Sequence, residues 1–171
     1  MTAVGGTQGG KMPEQAWTGS SGGFSNQFAA PAWQADVTAA YAANTDEKMP
    51  PASYFNATGR GFPDISAQAV NYPVVVNGRT QSVAGTSCAS PAASGVFGLL
   101  NDARFAAGKS SLGFLNQILY QNPTALNDVT EGVQNGCGRQ SGFPALEGWD
   151  AVTGLGSPNY EKLLEVVMAL P

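Results

Sequence analysis

Gly85-Thr86-Ser87-Cys88-Ala89-Ser90-Pro91 stands between two different kinds of sequence, and its reading decides the fold. Upstream, Tyr72-Pro73-Val74-Val75-Val76 and Arg79-Thr80-Gln81-Ser82-Val83 are strand-like runs joined by Asn77-Gly78. Both turn residues tolerate positive φ, so a β-hairpin is expected. Downstream, 90 to 107 is the most apolar helical stretch, with Val96, Phe97, Leu100 and Ala103 on one face and Gly108 as its stop. Gly95 and Gly98 lower helix propensity there and predict close packing on a neighbour. Ser87 is thus expected just before a helix N-terminus. There, unpaired N–H groups and the positive end of the helix dipole can stabilise an oxyanion beside the serine Oγ. The small residues Gly85, Ala89 and Ala92 leave room for a carbonyl to approach. A lone serine before a helix is usually only its N-cap, so the rest of the chain has to decide.

Outward from this junction, the first thirty or so residues are rich in Gly, Ser and Thr and read as loop, with a short strand at Thr2 to Val4. Trp33, Val37, Ala40 and Tyr41 recur at helical spacing over 31–43, with Pro31 suited to a first turn. A helix over 112–120 ends before Asn122-Pro123. The stretch between Asp128 and Pro158 holds seven glycines and reads as a long loop organised by something other than an apolar face. A final helix is expected with Ser157 as N-cap and Pro158 at its first position, carrying Leu163, Leu164, Val167 and Leu170. Strands mixed with amphipathic helices predict an α/β fold, helices packed on a sheet.

Composition excludes several function classes. The chain has 171 residues, 43% hydrophobic and 12% charged, enough for one globular domain or most of one. No apolar run approaches the roughly 18 residues that cross a bilayer, so no membrane span is expected. With only 8 Lys plus Arg and a net charge of -4, no basic stripe is available for nucleic acid. The chain contains no His, which removes any imidazole base and the usual His-containing zinc sites. Met1 to Thr7 lacks a charged n-region and an apolar h-region, so the chain as written is not expected to direct its own export. A sequon stands at Asn56-Ala57-Thr58 in a polar stretch; if glycosylated, it implies a secretory compartment.

The Ser87 segment resembles the Gly-Thr-Ser-x-[Ser/Ala]-x-Pro nucleophile motif of subtilisin-like serine peptidases, with Gly95 at the helix glycine of that motif. Of the two branches sharing it, the sedolisins, or serine-carboxyl peptidases, fit better than the subtilisins. Their hallmarks follow in order: Thr2-Ala3-Val4-Gly5-Gly6-Thr7, Ser21-Gly22-Gly23-Phe24-Ser25-Asn26, Gly59-Arg60-Gly61-Phe62-Pro63-Asp64-Ile65-Ser66, Asn127-Asp128-Val129 and Gly148-Trp149-Asp150 to Ser157-Pro158-Asn159. The resemblance covers the whole chain. It implies a subtilisin-like parallel sheet flanked by helices, of which residues 1–171 form the C-terminal portion, with the nucleophile segment at 82–108 and a calcium-loop segment at 128–158.

The resemblance further implies a Ser-Glu-Asp triad, in which Ser87 attacks a peptide carbonyl and a glutamate supported by an aspartate takes its proton. An imidazole of pKa about 6.5 is protonated in an acidic compartment, whereas a carboxylate of pKa about 4.3 still accepts a proton there. A peptidase working in acid, in a secreted, lysosomal or vacuolar setting, on peptide or protein substrates is therefore expected. In the family the Glu, its Asp and an oxyanion Asp all precede the Thr-Ala-Val-Gly-Gly-Thr segment, with which this chain begins. Asp64 reads as structural, and Glu14, Asp46 and Glu47 as solvated loop, so none replaces them. The isolated chain is expected to be inactive, its partner being the missing N-terminal part of the catalytic domain. A truncated reading frame, the light chain of a two-chain peptidase and a deliberately shortened chain all fit this; Met1, where the family often has another apolar residue, favours truncation.

One calcium ion is the implied cofactor. Two aspartates in a loop more often cap turns or face water than bind metal. The family's site, however, takes carboxylates from positions matching Asp128 and Asp150 and carbonyls from those matching Val129 and Gly148, a hard all-oxygen set that suits Ca²⁺. A further family carbonyl comes from a glycine where this chain has Leu146, whose backbone preference differs. The ion's role is expected to be structural. Cys88 reads as a small buried residue, and Cys137 as exposed, an orphan partner of a cysteine upstream in some members. Trp17, Trp33 and Trp149 read as packing residues. The competing reading is a catalytically silent calcium-binding or interaction module on the same fold.

Overall fold

The computed structural model describes residues 1–9, 13–46, 48–136 and 141–171, without the side chain of Ser141. Its strands are β1 (Val4–Gln8), β2 (Gln15–Ala16), β3 (Gly23–Ala29), β4 (Gly59–Phe62), β5 (Ile65–Gln68), β6 (Tyr72–Val76), β7 (Arg79–Val83), β8 (Leu126–Asn127), β9 (Val133–Asn135), β10 (Ser141–Pro144) and β11 (Ser157–Pro158). Its α-helices are α1 (Ala35–Ala42), α2 (Thr86–Ala106), α3 (Leu115–Gln121) and α4 (Tyr160–Ala169). β1 and β5 pair in parallel from Val4↔Ile65 to Thr7↔Gln68. β2 joins the other edge of β1 antiparallel at Thr7↔Ala16. The first strand is therefore 4–8, later than the expected 2–4.

Two glycines let both layers close on β1, because successive residues of a strand face opposite sides of the sheet. A Cβ on Gly6 would come within 2.7 Å of Ala69 Cβ and 3.6 Å of Thr86 Cγ2, on the side where α2 lies. A Cβ on Gly5 would come within 2.8 Å of both Pro63 Cγ and the Val152 carbonyl, on the opposite side. Behind that second face Phe24, Tyr41, Phe143 and Trp149 form an aromatic cluster, with Trp149 edge-on to Tyr41 at 5.5 Å. The Trp149 Nε1–H donates to the Pro63 carbonyl at 3.0 Å, so its one polar atom is satisfied in the core.

The hairpin forms as the Asn-Gly signal requires, with Asn77 at φ 51° and Gly78 at φ 73° and register Tyr72↔Val83 to Val76↔Arg79. α2 starts earlier than expected, at Thr86 rather than Ser90. Pro91 is tolerated within it; lacking an N–H, it leaves the Ser87 carbonyl without that helical donor. Its buried face is Ala89, Ala93, Phe97, Leu100 and Arg104. Gly95 and Gly98 contradict the expectation of close packing, since a Cβ on either meets nothing within 4 Å. Gly95→Ala and Gly98→Ala are each expected to stabilise this chain by about 0.5–1 kcal/mol through backbone entropy, read as a higher urea midpoint. A drop would mean that their faces are covered.

The other helices differ from the sequence reading where polar partners override apolar spacing. α1 begins at Ala35, leaving Pro31 and Trp33 in the preceding turn, and it buries Thr38 and Tyr41 while Ala40 is exposed. Gln34 is buried because its side chain donates to the Gly61 carbonyl at 2.8 Å and accepts from Gly61 N–H at 3.0 Å. α3 begins at Leu115 rather than Leu112 and buries Asn116 and Leu119. α4 is capped by Asn159, whose side chain accepts from Lys162 N–H, whereas Ser157 and Pro158 bridge to Asn127 and Leu126 in β11. The stretch 128–158 is not the core-poor loop expected: it holds β9 and β10 and buries Val129, Phe143, Ala145, Trp149, Ala151, Val152 and Leu155.

Candidate active site and cation loop

Ser87 lies in the first turn of α2, not before it, and its side chain is exposed. The turn that delivers it depends on Gly85, at φ 156° and ψ 155°, a backbone region open essentially to glycine alone. Gly85 N–H donates to the Ala69 carbonyl at 2.7 Å, fastening the turn to the end of β5, and Cys88 N–H donates back to the Gly85 carbonyl at 2.9 Å. The hydroxyl of Ser87 has no hydrogen-bond partner among the described residues. It therefore stands free at the positive end of a 21-residue helix. Cys88, next to it, is half-buried with a free thiol, less enclosed than its sequence suggests. The expected position of Cys137 and the glutamate Glu47 lie outside the described residues.

Three carboxylates that the sequence singles out, Asp64, Glu14 and Asp46, are engaged elsewhere. Asp64 is fully buried: its Oδ2 accepts from Arg60 Nη2 at 2.6 Å and Ala3 N–H at 2.7 Å, and its Oδ1 from the Tyr120 hydroxyl at 3.1 Å. Burial and the Asp64 charge push the Tyr120 phenol well above its ordinary range. Glu14 is not solvated loop as its sequence suggested: it accepts from the Thr7 and Ser157 hydroxyls, joining β1 to β11. Asp46 caps a local turn by accepting from Lys48 N–H at 2.8 Å. Tyr72, which sequence reasoning did not single out, has its phenol raised by partial burial and by Cys88 and Glu14 nearby.

The two aspartates of the 128–158 stretch converge on one short segment. Asp128 Oδ2 accepts from Gly148 N–H at 2.8 Å, and Asp150 Oδ2 accepts from Leu146 N–H at 3.4 Å. Asp128 is exposed, whereas Asp150 is fully buried and also accepts from Val152 N–H at 2.9 Å, Thr153 N–H at 2.7 Å and Thr153 Oγ1 at 2.8 Å. Burial pushes the Asp150 carboxyl up to about 7, against the pull of those donors. No Lys or Arg pairs with it among the described residues. No cluster of three or more acidic, Cys or His side chains is found among them either, so a cation here would draw on backbone carbonyls. Gly148 sits at φ 83°, while Leu146 is not among the positive-φ residues, so its departure from glycine imposes no strain.

Comparison with known proteins places the chain in a family. The Subtilase family profile matches residues 3–138. Tripeptidyl-peptidase sed4 of Aspergillus fumigatus is 46% identical over 192 residues, covering 99% of this chain and 32% of its own length. Tripeptidyl-peptidase 1 of Mus musculus is 41% identical over 155 residues, covering 87% of this chain and 27% of its own. Among solved structures, Pseudomonas sedolisin, a serine-carboxyl proteinase complexed with pseudo-iodotyrostatin, superposes with a TM-score of 0.77 at 29% identity over 99% of this chain and 46% of its own. The chain thus spans about a third or less of these curated relatives and under half of that structure. No described helix is long and apolar enough to cross a membrane. With a family match over most of its length, relatives above 40% identical and a fold shared with a solved sedolisin, the chain belongs to the subtilase family, in its sedolisin or serine-carboxyl peptidase branch, and represents part of that family's catalytic domain.

Proposed function

We propose that this chain is the nucleophile-bearing part of an acid-acting serine-carboxyl peptidase, cutting peptides internally or releasing tripeptides. The observation that carries the reading is the unpartnered, exposed Ser87 hydroxyl on the first turn of α2, set there by Gly85. Ser87 Oγ bonds to the peptide carbonyl carbon while its proton passes to a glutamate base, and the carbonyl oxygen becomes an oxyanion facing the N-terminus of α2. That glutamate, its supporting aspartate and the oxyanion aspartate come from the part of the domain that the relatives have and this chain does not span. Accordingly the 171-residue chain is expected to show no Ser87-dependent peptide cleavage between about pH 3 and 6, and measured cleavage would defeat this reading. Sequencing the gene upstream of Met1 is expected to reveal a Glu and an Asp a few residues apart, then Ser-Gly-Asp-Ser. Their absence would favour the silent module.

We place the parent protein in a secreted or lysosomal-type lumen, where a carboxylate base can still accept a proton and an imidazole, already protonated, cannot. The exposed Asn56 supports glycosylation there, although its Nδ2 donates to the Ser25 carbonyl at 3.1 Å and would have to release it.

The residues around Asp150 fit a calcium ion: a buried carboxylate with no cationic side chain among the described residues and a second carboxylate bonded to the same short segment are both hard oxygen donors, which backbone carbonyls at 129, 146 and 148 would complete. Asp128, Asp150, Val129 and Gly148 would hold it, with Leu146 adding a carbonyl, and the ion would neutralise the buried charge. Without calcium the folded state holds the Asp150 proton more tightly than the unfolded chain, since its pKa is about 7 against 3.8. Stability in chelator is therefore expected to fall by several kcal/mol as pH rises from about 4 to about 7. Calcium, which binds the carboxylate, is expected to raise Tm increasingly over the same range. Asp150→Ala should abolish that calcium response; a response that persists would remove the site.

A further inference from the structure

β6 and β7 form a two-stranded sheet of their own, and every residue from Val75 to Val83 is exposed. At its tip stand Asn77 and Gly78. We propose that Asn77 modifies itself, turning into isoaspartate and aspartate when the tip opens and the Gly78 backbone nitrogen attacks its side-chain amide. Neither the Asn77 side chain nor the Gly78 N–H has a hydrogen-bond partner among the described residues. Glycine brings no side chain to shield its nitrogen, and a Cβ built on Gly78 would meet nothing within 4 Å. The reacting atoms are therefore open to water. Nothing assigned to peptide cleavage takes part, so this site stands or falls apart from the peptidase reading.

Water is the only co-reactant. The Gly78 nitrogen gives its proton to solvent and bonds to Asn77 Cγ; the side-chain nitrogen takes a proton back and leaves as ammonia, and a five-membered imide remains. Water then opens the ring at either carbonyl. Cleavage between Gly78 N and Cγ gives aspartate, whereas cleavage between Gly78 N and the Asn77 backbone carbonyl carbon gives isoaspartate, with the chain running through the side chain. Either product adds one carboxylate to a chain of net charge -4. The fold gates this reaction. With Asn77 at φ 51° and Gly78 at φ 73°, as in a type I′ turn, the Gly78 nitrogen is turned away from Cγ, so the ring closes only after the turn opens. That opening is local and easy. Of β6 and β7 only Tyr72 and Val74 are half-buried, and a two-stranded hairpin is marginally stable in water. At its base Gly85 N–H donates to the Ala69 carbonyl at 2.7 Å, which holds the turn before Ser87 while the tip opens. Isoaspartate lengthens the backbone of the turn by one carbon, so the two-residue loop pairing Val76 with Arg79 cannot reform.

The test incubates the 171-residue chain in neutral buffer beside an acetylated and amidated peptide spanning Tyr72–Val83, and follows residue 77 by peptide mapping with mass spectrometry. Mapping separates it from Asn135-Gly136, the other such dipeptide. Isoaspartate and aspartate are both expected at 77, forming roughly tenfold to a hundredfold more slowly in the chain than in the peptide, which has no hairpin to open. Val75 and Thr80 face each other beside the tip, so Val75→Cys with Thr80→Cys allows a disulfide across it. Oxidising that variant should slow the reaction at least about tenfold further, and reduction should restore it. A chain as fast as the peptide, or more than about a thousandfold slower, would overturn the proposal. So would aspartate without isoaspartate, which marks direct hydrolysis, or a rate in the double variant that oxidation leaves unchanged. The comparison with the peptide decides the matter even if that disulfide does not form.

Discussion

Ser87→Ala, in the protein completed by the amino-terminal part of its catalytic domain, is expected to lower kcat for peptide hydrolysis at acid pH by at least about 10³-fold. KM should change little. The size follows from the chemistry: alanine offers no atom to bond to the carbonyl carbon, so covalent catalysis is lost outright, and only positioning and oxyanion stabilisation remain. Structural damage is not expected to contribute, because the hydroxyl is exposed and bonds to nothing among the described residues. The α2 N-cap is the Gly85 backbone rather than a side chain, and alanine is a good helix former in the first turn. Equal Tm with collapsed turnover is the expected pair of results. A variant that keeps a tenth or more of its activity would show that another residue is the nucleophile.

Asp64→Ala is expected to have the largest effect on stability, about 3–5 kcal/mol. Asp64 is wholly buried and satisfies three donors from three parts of the chain: Ala3 N–H ahead of β1, Arg60 in β4 and the Tyr120 hydroxyl in α3. Removing it strands the Arg60 guanidinium, 6.0 Å over the Trp33 ring, and leaves buried N–H and O–H groups unmade. Against a total stability of about 5–15 kcal/mol, the variant would be largely unfolded in mild denaturant. Asp64→Asn, which keeps an acceptor but loses the charge, should fall between. A loss of unfolding free energy in urea of under about 1 kcal/mol for the alanine variant would show that Arg60 and Tyr120 find solvent instead.

Much of the architecture was legible because the signals are local. Asn77-Gly78 specifies the hairpin through positive φ at both positions, and the apolar run after Ser90 specifies a helix by its period. The ordered motifs carry the family likeness within the sequence itself. Less legible were polar residues whose burial depends on distant partners. Gln34 and Thr38, rather than Trp33 and Ala40, face inward on the α1 segment because Gly61 completes the Gln34 amide. Glu14 looked solvated, yet the Thr7 and Ser157 hydroxyls hold it, the second from the far end of the sequence. The 128–158 stretch looked poor in core residues because its buried side chains follow no period, being placed by turns at Gly148, Gly154 and Gly156.

From the amino-acid order alone came the strand–turn–helix junction at Ser87 and the sedolisin likeness, since turn chemistry and short motifs act within a few residues. Tertiary structure alone decided that the Ser87 hydroxyl is open, that Asp64 and Glu14 are committed elsewhere, and that Asp150 is buried without a cation. The same holds for Gln134 Oε1, buried without a donor among the described residues. The physical reason is that exposure and hydrogen-bond satisfaction are properties of contacts between segments a hundred residues apart, which no local pattern encodes.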